Sequence, residues 1–182
     1  MTETRMQVSI NPPSTQPRVF VQRMDTVGDG SGAESQNVDG SGTEVVFRIK
    51  PNAGDIIHIA RIIIYIEDNS SFDSGGWGAL GGTPLTNGCV LKRYQGGTTF
   101  VGNDLKSNGL LAAIMYDVNH ENFGSGNEFL VGRFTFTKLG ASIRLDGDES
   151  DELQFVVRDN LTGLVAQYVT CEGWFENKEY YY

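Results

Sequence analysis

Between Ile56 and Ile66 the chain runs Ile-Ile-His-Ile-Ala-Arg-Ile-Ile-Ile-Tyr-Ile, and no other stretch limits its architecture as strongly. The run is much shorter than the ~20 apolar residues of a bilayer span, and His58 and Arg61 interrupt it. Its length would suffice for a helix. β-Branched side chains, however, are stiff at χ1 and pack best on a pleated surface, so the run reads as a strand. The even positions carry no charge-bearing residue besides His58, while the odd ones combine Arg61 with Ile57, Ile59, Ile63 and Tyr65. A strand apolar on both faces is either central in a sandwich and covered outside, or part of a subunit contact.

The remaining signals repeat the β pattern. Val45, Phe47 and Ile49 alternate with Val46, Arg48 and Lys50, and Pro51-Asn52-Ala53-Gly54 ends that run. Gly88 to Tyr94 and Thr98 to Leu105 form a hairpin pattern around Gln95-Gly96-Gly97. Strand patterns follow at Glu128–Lys138, Ala141–Leu145, Glu152–Arg158 and Leu164–Trp174, separated by Asp- and Gly-rich turns. The one helical candidate is Asp104–Asp117, with Leu105, Leu110, Leu111, Ile114 and Met115 loosely at helical spacing and Asn108-Gly109 weakening it. Glycine makes up 23 of 182 residues, well above the usual share of about 7%, and it punctuates these runs. Eight or nine short strands with polar turns predict an all-β, antiparallel β-sandwich or jelly roll with at most one short helix.

The length suits a single domain. Residues 1–43 read as an extended N-terminal arm, with Pro12, Pro13 and Pro17 in a polar stretch and a Gly-rich loop at its end. In that loop Asp29-Gly30-Ser31-Gly32 is echoed by Asp39-Gly40-Ser41-Gly42, and only Arg18–Met24 has the pattern of a short strand. Residues 44–175 are the sandwich and 176–182 a tail ending Tyr180-Tyr181-Tyr182. Asn69 to Gly88 is a long Gly/Ser loop carrying Phe72 and Trp77, and loops of that length are usually functional.

With 14 Lys+Arg against 23 Asp+Glu the net charge is −9. That balance argues against nucleic acid, whose phosphates demand clustered cations, and against anionic membrane surfaces. The first residues, Met1-Thr-Glu-Thr-Arg-Met-Gln, have no apolar core of a secretory signal, so synthesis in cytoplasm is expected. Cys89 and Cys171 lack any CxxC companion and read as half-buried thiols within strands.

No catalytic residues are assigned. The only histidines are His58, read as a hydrogen-bonded core or interface residue, and His120, read as a solvated turn residue; neither sits in a GxSxG or HExxH motif. Hard oxygen ligands bunch at Asp146–Glu152 and around Asp25, Asp29 and Asp39. The first run departs from a D-x-D-x-D calcium loop, with Ser150 at the third ligand position and Asp151 where glycine belongs. These acids read as soluble β-turns, and neither metal nor cofactor is assigned.

The order of segments resembles small structural proteins of tailed bacteriophages. The likeness runs through Val21-Gln-Arg-Met-Asp25, Val38-Asp-Gly-Ser-Gly42, Val45–Lys50, Ile59–Glu67, Leu85–Gly88, Gly126–Leu130, Ile143–Gly147 and Asp159–Gly163. Compact sandwiches with arms are similar to head decoration, or cement, proteins. That resemblance implies a non-enzymatic virion protein, made in the host cytoplasm, whose partners are the major capsid protein and further copies of itself in a trimer. The contacts expected on this reading are Arg18, Phe20 and Arg23 in the arm, Ile57, Ile59, Ile63 and Tyr65 on the strand, Phe72 and Trp77 in the loop, and Tyr180, Tyr181 and Tyr182. Two alternatives stay open: a tail, baseplate or head–tail connector protein, and a carbohydrate- or receptor-binding module using Trp77, Tyr94 and turn carboxylates.

Overall fold

The computed structural model describes residues 18–32, 34–68, 86–96, 98–104, 116–122 and 128–176. Ten strands appear in chain order: β1 (Val19–Arg23), β2 (Val45–Ile49), β3 (Ile56–Asp68), β4 (Cys89–Gln95), β5 (Thr98–Asp104), β6 (Tyr116–Asn122), β7 (Glu128–Thr135), β8 (Ile143–Asp146), β9 (Glu152–Val157) and β10 (Ala166–Phe175). A 3₁₀ turn, Phe136–Leu139, follows β7 and ends at Gly140 in the left-handed conformation. Among the described residues there is no α-helix. Of the helical candidate, Asp104 and Asp117 belong to β5 and β6 and the segment between them lies outside the described residues.

Every pairing is antiparallel. One sheet has the order β1-β10-β3-β7-β6, with β8 beside the start of β3, and the other has the order β2-β9-β4-β5. Their inner faces enclose one core, in which Phe47, Ile49, Leu153 and Phe155 of the four-stranded sheet meet Ile62, Ile64, Val169 and Cys171 of the six-stranded one. The chain is a β-sandwich. Each fully buried isoleucine contributes about 1.5–3 kcal/mol of transfer free energy, so β3 at the centre of the larger sheet anchors the domain.

The two apolar faces of β3 have a structural cause. From Ile57 to Ile59 the odd residues point inward, whereas from Ile62 to Ile66 the even ones do. The phase changes at a β-bulge: Glu172 of β10 pairs with Arg61 but the next residue, Gly173, pairs with Ile59, leaving Ala60 unmatched. Gly173 permits this approach, because a Cβ there would lie 1.8 Å from the His58 carbonyl oxygen. Ile57 and Ile59, expected at a subunit contact, are therefore core residues, 3% and 0% exposed. Ile63 and Tyr65, beyond the bulge, do lie on the outer face and are half-buried.

The boundary expected at residue 44 also moves. Among the described residues the folded body reaches back at least to Arg18, because β1 pairs along its whole length with β10 and forms the edge of the larger sheet. Met24, Asp25 and Gln36 are fully buried. Residues 36–40 run along the 159–167 segment, with Gln36 N–H donating to the Gln167 carbonyl and Gly40 N–H to that of Asp159 (each 2.9 Å). Phe20 is turned inward and meets Phe175 edge-on at 5.5 Å. At the other end of the described residues Glu176 is tied to β3 through its N–H on the Ile56 carbonyl, so the body extends at least to residue 176. His120, expected in a turn, is in β6 opposite Leu130 of β7. Residues 1–17, Phe72, Trp77 and Tyr180–Tyr182 lie outside the described residues.

Candidate interaction surface

The outer face of the six-stranded sheet brings together three of the expected contact residues, Arg23, Ile63 and Tyr65. Tyr65 of β3 stacks on Tyr168 of β10 with centroids 6.2 Å apart, and the Arg23 guanidinium lies 4.0 Å over the Tyr168 ring. Alternation along β1 sends Val19 and Val21 to the same face, where they are 75% and 72% exposed. Arg61 reaches across to Glu172 at 3.3 Å, and β7 sets Val131 beside Tyr65 and Arg133 beside Ile63. Such exposed ion pairs contribute about 0–1 kcal/mol each, so their weight lies in orienting the face. Burial and a hydrogen bond to Glu67 push the Tyr65 hydroxyl up to about 12.

At one end of this face a polar cluster joins three distant parts of the chain. His58 Nδ1 is 2.9 Å from Ser142 Oγ, and its Nε2 is 2.7 Å from Glu176 Oε2. The imidazole stacks flat on Trp174, 5.2 Å between centroids and 3° between planes. Arg144 donates to Glu176 at 3.3 Å and to Asp146 at 3.1 Å. The hydrogen bond from His58, with Arg144 behind it, holds the Glu176 carboxyl below the usual carboxylate range. A serine–histidine–carboxylate chain is also the arrangement used in acyl transfer, where serine bonds Nε2 and the acid bonds Nδ1; here those assignments are reversed. The cluster fastens the end of β10 to β3 and β8. Nothing in the sequence brings Ser142, Arg144 and Glu176 to His58, since the contacts span 84 and 118 residues.

The acidic turns have a different use from the cation site their composition suggests. Asp25, fully buried, accepts from Gly28 N–H through Oδ1 and from Gly32 N–H through Oδ2, at 2.9 Å for the latter. Gly28, at φ +98°, turns its carbonyl to the Lys50 N–H. Asp151, 1% exposed, accepts from Gly96 N–H at 2.9 Å and Asp146 N–H at 3.0 Å through separate oxygens. Asp159 accepts from Asn87 N–H at 2.7 Å and from Gly88 N–H, both on Oδ2. The two Asp-Gly-Ser-Gly segments are matching Asx turns, Asp29 accepting from Ser31 N–H and Asp39 from Ser41 N–H. Hydrogen bonds from the Ser31 and Ser41 side chains, with those backbone bonds behind them, hold both carboxyls below their ordinary range. Among the described residues no group of three His, Cys, Asp or Glu side chains is placed to hold a metal ion.

Of the other expected contacts, Arg18 lies 3.6 Å over the Phe175 ring and 3.7 Å from Asp55, and Phe20 packs on the core. Tyr94 is in β4 of the other sheet, opposite Glu152. Cys89 and Cys171, expected as half-buried thiols, are fully buried, and burial raises the Cys171 thiol. No described helix is long and apolar enough to cross a membrane. Comparison with family models, curated proteins and solved structures finds no match for this chain.

Proposed function

We propose that this chain is a non-enzymatic structural protein of a tailed-bacteriophage particle, of the head-decorating kind, working by contact with the capsid lattice and with copies of itself. The outer face of the six-stranded sheet carries the reading: a broad surface of Tyr65, Tyr168, Ile63 and Val131, studded with arginines and continuous with exposed Val19 and Val21. Aromatic residues and arginine are the types enriched where proteins meet. The order of sequence segments that resembles phage virion proteins supplies the particle. Acidic side chains that elsewhere suggest cation binding are engaged by backbone N–H groups, which suits a rigid scaffold.

The test is copy number in purified particles of a phage encoding the chain, read with a face variant, Ile63→Asp. The reading expects on the order of hundreds of copies on the head lattice, with Ile63→Asp folded but missing from particles. About a dozen copies or fewer would move the protein to the tail or connector. Particles that form and survive without the protein would overturn the reading.

A further inference from the structure

The free edge of β1 has properties that an edge strand normally avoids. The Arg18 carbonyl accepts from Phe175 N–H and Met24 N–H donates to the Val169 carbonyl, both at 2.8 Å, so the even residues of this strand bond to β10. Parity turns the N–H and C=O of Val19, Val21 and Arg23 away from the sheet. No proline, lysine or bulge lies between Val19 and Arg23 to blunt the edge. Both ends of it are bounded. Pro17 has no N–H to offer, and the outward groups of Asp25 are taken by Arg48 of β2 at 3.2 and 2.7 Å.

The side chains on this edge are a second observation. Val19 and Val21, 75% and 72% exposed, are the most exposed large apolar residues among the described ones. Unused backbone groups and uncovered apolar surface therefore coincide on the same alternate residues.

We infer that the β1 edge pairs with the β1 edge of a second copy, antiparallel, about a two-fold axis through Val21. Antiparallel strands exchange both bonds between residues directly opposite each other, so outward residues must meet outward residues. Centring on Val21 sets Val19 against Arg23 of the second copy, Val21 against its own counterpart, and Arg23 against Val19, which uses every outward group. Sliding one strand by two residues sets Arg23 against Pro17 or Val19 against Asp25, and neither of those can exchange both bonds. Sliding further brings two Arg23 side chains face to face. The centred register keeps them four residues apart, ~13 Å along the strand, beyond the ~8 Å Debye length at physiological salt. The contact is isologous and closes at two chains, unlike the trimer that the resemblance implies. A five-residue edge is smaller than a standard interface of about 1,600 Å², so a dissociation constant on the order of tens of micromolar is expected.

The experiment uses the purified full-length chain without any capsid, so its failure leaves the particle reading standing. Sedimentation velocity should show one chain at low concentration and two chains by about 1 mM, above that constant. Val21→Lys places two ammonium groups on the axis and should hold the mass at one chain, with the melting temperature nearly unchanged because the valine is 72% exposed. Val21→Cys sets two thiols on the axis with Cα atoms ~5.5 Å apart, a spacing a disulfide spans. It should cross-link about tenfold faster under mild oxidation than Val27→Cys, an exposed control in the loop after β1, and the fully buried Cys89 and Cys171 do not compete. Should Val21→Lys fail to melt cooperatively, the cross-linking rates decide. Wild type at one chain by about 1 mM, a mass of three chains, an unchanged mass in folded Val21→Lys, or Val21→Cys cross-linking no faster than Val27→Cys would each overturn the inference.

Discussion

Asparagine in place of aspartate should be costly at Asp25 and mild at Asp159, although both are buried and both hold two backbone N–H groups. The difference is which oxygens accept. Asp25 engages Gly28 and Gly32 through different oxygens, so an amide must turn its NH₂ toward one of the two donors. Asp159 receives Asn87 and Gly88 on the same Oδ2, which an asparagine oxygen can replace. A hydrogen bond to a charged acceptor is worth about 1.5–3 kcal/mol, a neutral one about 0.5–1.5, and a buried group left unsatisfied costs about 1–3. Asp25→Asn loses one bond, orphans Gly28 or Gly32 N–H and weakens the other bond, a loss of about 3 kcal/mol. Asp159→Asn weakens two bonds but removes a partly desolvated charge, a loss of about 1 kcal/mol.

For a chain of this size 1 kcal/mol corresponds to about 2–4 °C in melting temperature. Asp25→Asn should then melt about 6–12 °C below wild type and Asp159→Asn about 2–4 °C below. Thermal unfolding by near-UV circular dichroism at pH 7, supported by urea midpoints, reads both. Equal losses, or a larger loss at Asp159, would refute the assignment of oxygens to donors. Asp151 provides the control: it also uses both oxygens, and Asp151→Asn should fall with Asp25→Asn.

Three further outcomes follow from single side chains. Gln167 is fully buried with neither amide atom paired, so Gln167→Met should raise stability by about 1–2 kcal/mol; a loss in thermal denaturation would mean that the amide is hydrogen-bonded. Tyr65 should ionise near pH 12 in an ultraviolet titration. Its hydroxyl lies above the ordinary value of 10.0, so its contribution to stability is complete below pH 10 and lost as pH rises toward about 12. Tyr65→Phe should flatten that decline, and an unchanged slope would remove the assignment. Glu176 has the opposite sign: its carboxyl is held below the ordinary 4.5, so its contribution is present above that pH and fades as pH falls through the lower folded value. Glu176→Gln should make acid unfolding less steep below pH 4.5, and a wild-type slope in that variant would show that the His58–Glu176 pair does not act on the folding equilibrium.

The architecture was legible because sandwich patterns are local. Alternation at Val45–Ile49 and the Gly96 turn between Gln95 and Thr98 report their own surroundings, and the structure follows them. The inward side of β3 was not legible. Both faces of Ile56–Ile66 are apolar in sequence, and the choice between them is made at Ala60 by the approach of Gly173, more than a hundred positions away in the chain. Without the bulge, Ile57 and Ile59 share a face with Ile63; with it, they join Ile62 and Ile64 in the core.

Within residues 18–43 the short strand expected at Arg18–Met24 is present as β1, but the Gly-rich segment after it is packed on the sandwich, for a related reason. Composition there is that of a linker, rich in Gly, Ser and Asp, yet Asp25 converts it into ordered structure by gathering two glycine N–H groups and bridging to Arg48. The same glycine that signals freedom in a linker supplies the positive φ of Gly28 and Gly30 that an ordered loop requires. A buried carboxylate with no cation beside it needs N–H donors, and glycine-rich turns are where unhindered donors are found. The acidic residues and glycines that gave residues 28–42 the look of a linker are therefore partners: Asp25 enters the sandwich with a loop folded around it.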